Sequence, residues 1–113
     1  MPRDKTFYFS TSIGNFTGES AGSLREFSEK INQVNVKSLE FHLQRGDFEN
    51  WIGEVLGDTE LAGEIRDLKG LNLSGEELRK RLYTIISNRL RLLNILKLFK
   101  RAASTSPTLS RQT

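Results

Sequence analysis

Residues 74–101 read SGEELRKRLYTIISNRLRLLNILKLFKR, and this stretch decides how the rest of the chain can fold. Ser74 and Glu77 form a capping-box pattern, in which a hydroxyl and a carboxylate satisfy free backbone amides at a helix start. Apolar residues then recur at the spacing of a helix face: Leu78, Leu82, Ile85, Ile86, Leu93 and Leu96. Nothing interrupts the pattern before Ala102, so we predict a helix of roughly 26 residues and about 40 Å, longer than a small domain needs.

The second half of this helix, residues 88–101, is amphipathic and contains no acidic residue. At about 100° per residue, four apolar side chains share one side: Leu92, Ile95, Leu96 and Phe99. Five cations form a candidate basic patch in the same segment: Arg89, Arg91, Lys97, Lys100 and Arg101. Large apolar faces are rarely left in water, so three fates remain open. The face packs on its own core, self-associates, or binds a partner protein or a lipid surface.

The charge of the chain is divided sharply along its length. All 14 acidic residues lie within residues 1–77, whose net charge is −6, whereas residues 78–113 carry nine bases and no acid, a net charge of +9. A cationic helix that reaches phosphates can bind nucleic acid, with an affinity that falls steeply as salt rises. The charge pattern therefore supports nucleic-acid binding as an alternative function, although the acidic body carries no recognisable reader motif.

The composition excludes several protein classes. With 113 residues and no cysteine, the chain fits one domain without disulfides, thiolate metal sites or thiol catalysis. The lack of cysteine suits the reducing cytoplasm, which is the localisation that we expect. We find no N-terminal apolar run of signal-peptide length and no segment long enough to span a bilayer. Residues 102–113 have the composition of a disordered tail.

Four shorter helices are predicted between residues 23 and 70. Their starts are marked by residues that typically cap free backbone amides, namely Ser23, Asn35, Asp47 and Asp58. Gly46 and Gly57 mark two of the ends, because glycine adopts the left-handed conformation at low cost. The apolar spacing predicts one core built from Phe27, Leu39, Phe48, Trp51 and Leu61, together with Leu82 of the long helix.

Residues 5–22 are predicted to form an extended arm and a loop. The aromatic and threonine-rich run at residues 5–11 favours a short strand, but no second strand is evident to pair with it. Residues 10–22 are rich in Ser, Thr and Gly, which predicts a loop. We expect Ile13 and Phe16 to pin that loop to the body.

His42 is the only histidine and has two interpretations. As a general base, it would be oriented by Asp47 or Glu49. As a structural residue, it would bond a carboxylate or a carbonyl and fix the turn at Gly46 and Asp47. The structural role is favoured, because no nucleophile or set of oxyanion donors accompanies the histidine. We predict no catalytic, metal or cofactor site.

The run from Phe41 to Ile65, together with Phe7–Phe9 and the cap at Ser23, resembles an uncharacterised family of small archaeal and bacterial domains. Larger relatives in that family sit beside or fused to trehalose-synthase-like glycosyltransferases. Their signature is His, then Asn-Asp-Phe, then Trp after two residues. The residues that match it here are His42, Asp47, Phe48 and Trp51, with Gly46 in place of the Asn. The resemblance covers residues 6–93 and implies a helical accessory domain, associated with sugar metabolism through its fusion partners.

These patterns predict a mainly α, single domain over residues 1–101. It is a compact bundle of about five helices, with a short N-terminal extended segment and a long basic C-terminal helix at residues 74–101. The predicted function is that of a non-enzymatic accessory or protein-interaction domain. It would self-associate or bind a protein partner through the long helix, with no cofactor and no small-molecule substrate. Nucleic-acid binding is the alternative, and contact with a membrane surface is a further mode.

Overall fold

The computed structural model describes the backbone of residues 5–105 and the side chains of residues 5–100. The chain is mainly α, with five α-helices and a small two-stranded sheet. In chain order the elements are β1 (Phe7–Ser10), β2 (Phe16–Ala21), α1 (Leu24–Ile31), α2 (Val36–Arg45), α3 (Asp47–Asn50), α4 (Thr59–Asp67) and α5 (Gly75–Thr105). A π-helical turn at Trp51–Val55 continues α3, and a 3₁₀ turn at Leu68–Leu71 follows α4.

Most of the predicted helix starts are confirmed by their capping bonds. Ser23, Asn35 and Asp58 each accept a hydrogen bond from a backbone N–H in the first turn of α1, α2 and α4, at 2.8 to 3.2 Å. α2 ends at Gly46, whose φ of +79° lies in the left-handed region that glycine favours. α5 begins directly after Ser74, as predicted.

The predicted role of Asp47 as an N-cap is wrong. Gly46 occupies that position, and no side chain caps α3. Since the left-handed Gly46 joins α2 to α3 directly, Asp47 is already the first helical residue. Its carboxylate instead accepts hydrogen bonds from His42 and Arg45. The helix thus begins where predicted, but the Asp47 side chain bonds to other side chains instead of capping the helix.

The prediction of a loop over residues 10–22 is wrong for residues 16–21, which form β2. β1 and β2 pair antiparallel, with Phe7 opposite Ala21, and a bulge interrupts the register near the turn. Gly14, with a φ of +79°, permits that turn. Ile13 and Phe16 do not pin the hairpin to the body, since their side chains are 81% and 55% exposed. The hairpin is held by the inward-facing Phe7 and Phe9.

The predicted core is confirmed, and its centre is aromatic. All six residues predicted for it are buried. We use the name aromatic cluster for Phe7, Phe9, Phe27, Phe48 and Trp51, whose contacting rings have centroids 4.9 to 6.3 Å apart. Such ring pairs add to the free energy gained by burying apolar area. The cluster joins the hairpin to α1, α3 and the π-helical turn.

The first half of α5 is the element on which α1, α2 and α4 pack. Its residues Leu78, Leu82 and Ile86 are completely buried. Polar contacts reinforce this packing: the Arg79 guanidinium donates to the carbonyls of Ile31 and Val34, each at 2.9 Å. These bonds close the C-terminal end of α1, where backbone carbonyls lack helical partners.

The second half of α5 continues beyond the packed body. The molecule measures 60 Å along its longest axis, and its radius of gyration is 17.0 Å, against about 13 Å for a compact domain of 100 residues. This extension agrees with the predicted length of the helix, which is greater than a small domain needs. The helix also reaches Thr105, so residues 102–105 are helical rather than disordered. Residues 106–113 of the predicted tail lie outside the described residues. No described helix combines the length and the apolarity needed to cross a membrane.

Candidate functional site

His42 and Asp47 were the residues with the strongest catalytic potential, and the structure brings them together. His42 lies at the end of α2 and Asp47 at the start of α3, with Nδ1 of the imidazole 2.8 Å from Oδ2 of the carboxylate. The other ring nitrogen, Nε2, accepts a hydrogen bond of 2.8 Å from the backbone N–H of Ser10 in β1. The imidazole is therefore the neutral tautomer that carries its proton on Nδ1.

Both ring nitrogens of His42 are thus engaged within the protein. A general base needs a free nitrogen within hydrogen-bond reach of the substrate proton. Open clefts of about 370 and 400 Å³ flank the His42–Asp47 pair, but Nε2 is directed at the hairpin backbone. The geometry fits a buried clamp between the hairpin and α2. It also extends the predicted structural role, because the backbone partner lies 32 residues away rather than at the neighbouring turn.

The electrostatics of His42 agree with this clamp. Burial lowers the pKa of His42 below its ordinary value, and the Asp47 carboxylate offsets this only in part. A protonated ring would also lose its capacity to accept from Ser10. Phe48 and Trp51, the other residues of the sequence signature, are buried beside it, and the indole N–H of Trp51 donates to the Lys5 carbonyl at 3.0 Å. Within residues 5–100 there is no group of three or more His, Asp and Glu side chains that could hold a metal ion.

The four candidate interaction residues lie together on a different part of the molecule. We call residues 91–100 the projecting segment, because every residue in it is exposed. We call Leu92, Ile95, Leu96 and Phe99 the apolar stripe, and their exposed fractions are 43, 53, 51 and 72%. Of the three fates considered for this face, packing on its own core is not seen among the described residues. Large apolar side chains exposed side by side mark interaction surfaces.

The apolar stripe does not point in the direction of the core. Leu78, Leu82 and Ile86 mark the core side of α5. At about 100° per residue, Leu92, Ile95 and Phe99 lie roughly 100° further round the helix axis. Leu96, eighteen residues after Leu78, lies at the same angle as that buried residue. Most of the stripe is thus turned sideways, at about a right angle to the direction of the core.

The candidate basic patch is divided by the structure. Arg89 is engaged by the body, because its guanidinium binds both carboxylate oxygens of Asp58 at 2.7 and 2.9 Å and approaches Glu60 at 3.4 Å. Arg91, Lys97 and Lys100 are exposed, with Arg91 donating to the Asn88 amide oxygen at 3.2 Å. The side chain of Arg101 lies outside the described residues.

The Arg89–Asp58 pair marks where α5 leaves the body. Burial alone raises the pKa of Asp58, but the hydrogen bonds from Arg89 and from the Leu61 N–H outweigh it and leave that pKa below its ordinary value. The bond to Asp58 raises the pKa of Arg89 in turn. Both groups are therefore charged at neutral pH. Beyond this anchor, an open cleft of about 440 Å³ separates Arg25 of α1 from Leu93 and Lys97 of α5.

Sequence reasoning missed two features of these surfaces. The first is the ion pair between Asp58 and Arg89. The sequence around Asp58 predicts an N-cap, but it does not show that the same carboxylate also binds Arg89, because the two residues are 31 positions apart. The outer face of the hairpin, where Tyr8 and Phe16 form an edge-to-face pair at 5.7 Å, was hidden by the missed strand. The turn residues at positions 12–15 were the only signal for that hairpin.

Comparison with known proteins assigns the chain to a family. No curated protein and no solved structure is significantly similar to this chain. Residues 3–104 match the family described as "Family of unknown function (DUF5752)". The match extends past residue 93, where the resemblance noted from the sequence ends, and so includes the projecting segment. The chain belongs to this family of unknown function.

Proposed function

We propose that this chain is a non-enzymatic interaction module that self-associates through the apolar stripe of its projecting segment. The observation that carries the proposal is the exposure of four large apolar side chains on one side of a helix, which the described part of the chain leaves 43 to 72% exposed. Burying such side chains against another surface yields roughly 25 cal/mol for each Å² removed from water. The segment also lies within the part of the chain that matches the family, so it belongs to the domain itself.

The His42–Asp47 pair supports a non-enzymatic role. Its imidazole has the carboxylate partner of a catalytic histidine, but the nitrogen that would take a proton from substrate accepts the Ser10 N–H instead. The pair stabilises the fold by linking β1 to α2 and α3. An enzymatic function would need this link to open.

The state of the basic patch favours self-association over nucleic-acid binding. Arg89 is neutralised by Asp58, which removes one of the five predicted phosphate ligands. Of the remaining described cations in the patch, Arg91 and Lys100 flank the stripe and Lys97 lies on the opposite side of the helix, so they do not form one continuous basic face. Nucleic-acid binding remains the second candidate, and it predicts a strong loss of affinity with added salt.

The cellular setting follows from composition and resemblance. A chain without cysteine suits the reducing cytoplasm, where we place it. The resemblance to domains found beside glycosyltransferases makes such an enzyme a candidate protein partner. In that arrangement the module would serve an accessory role and the enzyme would carry the chemistry.

Analytical ultracentrifugation tests the proposal directly. The wild type should move from monomer to dimer over about a hundredfold range of concentration, because association is governed by mass action. The double variant Leu92→Glu, Leu96→Glu should stay monomeric with an unchanged circular-dichroism spectrum, since burying unpaired carboxylates in an apolar interface is costly. Ile13→Glu is the matched control, because Ile13 is an exposed apolar residue of the hairpin, and it should dimerise normally.

Other results would contradict self-association or favour nucleic-acid binding. A wild type that stays monomeric throughout this range contradicts self-association. Replacing Lys97 and Lys100 by Gln should weaken the dimer by no more than about a few-fold, because exposed charges contribute little. Loss of DNA binding in that charge variant, with no dimer in the wild type, would instead support the nucleic-acid function.

A further inference from the structure

We infer that the second copy docks antiparallel on the apolar stripe and brings its Lys100 to the acidic start of α4. This inference rests on the proposed self-association and adds the orientation, the register and the charged contact. It names Glu60 as the acceptor.

Two copies of the basic projecting segment repel each other. The projecting segment contains three cations and no acid. A parallel pair would place each cation beside its own copy, at the helix separation of about 8–10 Å. An antiparallel pair centred on the stripe moves the two copies of Lys100 apart by a further 14 Å or so along the axis, beyond the Debye length at physiological salt. The antiparallel orientation is therefore favoured.

The position of the stripe along α5 sets the register of the pair. The stripe is centred between Ile95 and Leu96, so a two-fold axis at that point places Leu92 opposite the partner's Phe99. Leu96 then lies beside Leu96 of the partner subunit. This arrangement covers all four stripe residues on both copies. Any shift along the axis leaves at least one of them uncovered.

One flank of the stripe carries two cations. Arg89 and Lys100 are eleven residues apart, which at about 100° per residue places them on the same flank of α5. In an antiparallel pair related by a two-fold axis, equivalent flanks face each other. Lys100 is therefore brought within about one helical turn of the partner's Arg89.

Carboxylates of the body lie next to Arg89. Arg89 is already bound to Asp58, and beside it Glu60 is 73% exposed, with only a long contact of 3.4 Å to Arg89. Glu64 follows one turn later on α4. The start of α4 thus has exposed negative charge at the position along the α5 axis where the partner's Lys100 lies. The acidic body and the basic projecting segment are complementary in this arrangement.

Single-cysteine crosslinking tests the register, and the chain suits it because it has no cysteine. A disulfide needs Cα atoms within about 7 Å. Leu96→Cys should give a disulfide dimer under mild oxidation. Leu92→Cys alone should not, because its two copies lie about 10 Å apart along the axis. A mixture of Leu92→Cys and Phe99→Cys should crosslink, and Lys97→Cys, on the opposite side of the helix, serves as the control without crosslinks.

Charge reversal tests the contact with α4. Lys100→Glu and Glu60→Lys should each weaken the dimer by roughly three- to tenfold, and their combination should restore it, since exposed pairs are individually weak but each dimer contains two. Lys97→Glu is the matched control and should have a smaller effect that Glu60→Lys does not rescue.

The possible failures are distinguishable. A dimer in which Leu92→Cys crosslinks to itself is parallel and overturns this inference, while self-association stands. A dimer that ignores both charge reversals also overturns it. A wild type that is monomeric overturns self-association and this inference together. In that last case, cosedimentation of the wild type with phosphatidylserine vesicles, lost in Leu92→Glu, Leu96→Glu, would identify a lipid surface as the occupant.

Discussion

The two halves of α5 have similar apolar content but opposite environments. In the first half, Leu78, Leu82 and Ile86 are completely buried beneath α1, α2 and α4. In the second half, the apolar stripe is 43 to 72% exposed. The difference arises because no described part of the chain covers residues 91–100, all of which are exposed. An apolar periodicity thus predicts a helix and the side that it buries, but the surface that covers this side depends on the rest of the fold.

The largest expected loss of stability comes from the aromatic cluster, which holds the body together. Trp51→Ala should lower the free energy of unfolding by roughly 3–5 kcal/mol, because it leaves a cavity among packed rings and frees the Lys5 carbonyl. Urea unfolding followed by circular dichroism measures this loss. Trp51→Phe should cost less, since a ring remains. An unchanged midpoint in Trp51→Ala would show that the cluster does not support the body.

A matched pair of leucines tests the comparison between the halves. Leu82→Ala should cost about 2–5 kcal/mol, whereas Leu92→Ala should change the free energy of unfolding by less than about 0.5 kcal/mol. Both are measured at a protein concentration low enough to keep the chain monomeric, because association would stabilise the folded state. Equal losses at the two positions would mean that the stripe belongs to the core.

Two arginines locate the boundary between the halves. Arg89→Gln should destabilise the fold by roughly 1–3 kcal/mol, because it leaves the largely buried Asp58 carboxylate without its charged partner. Arg91→Gln, two residues further along, should have almost no effect on the unfolding midpoint, since Arg91 is exposed. If both variants unfold at the wild-type midpoint, the boundary does not lie at Arg89.

The smallest effect is a dependence of the body's stability on pH. The pKa of His42 in the folded state is lowered from 6.5, so below that pH the unfolded chain takes up a proton that the folded chain resists. Stability should be complete above about pH 6.5 and fall as the pH decreases from there. The low pKa of Asp58 acts only in a more acidic range, below its ordinary value of 3.8.

Urea midpoints measured between pH 7.5 and pH 5.5 check this dependence. His42→Gln should remove most of the slope in that range, whatever its effect on stability at pH 7.5. The projecting segment has no histidine, so its variants should keep the wild-type slope. A slope that persists in His42→Gln would assign the titration to another group.

Local physics made much of this fold predictable. The starts of α1, α2 and α4 follow from side-chain caps, and the start of α3 follows from Gly46, because these residues act on amides and carbonyls a few residues away. The six predicted core residues follow from helical spacing. The separation of acidic and basic regions is a property of the sequence itself.

Contacts between distant residues decided the rest. β2 is a strand because β1 pairs with it, although its own residues, FTGESA, include few apolar side chains. Nε2 of His42 accepts a hydrogen bond from the Ser10 N–H, 32 residues away. Arg89 is neutralised by Asp58, 31 residues away. The exposure of the stripe depends on which part of α5 the other elements cover. No local pattern contains these facts, because each depends on the free energy of bringing separate segments together.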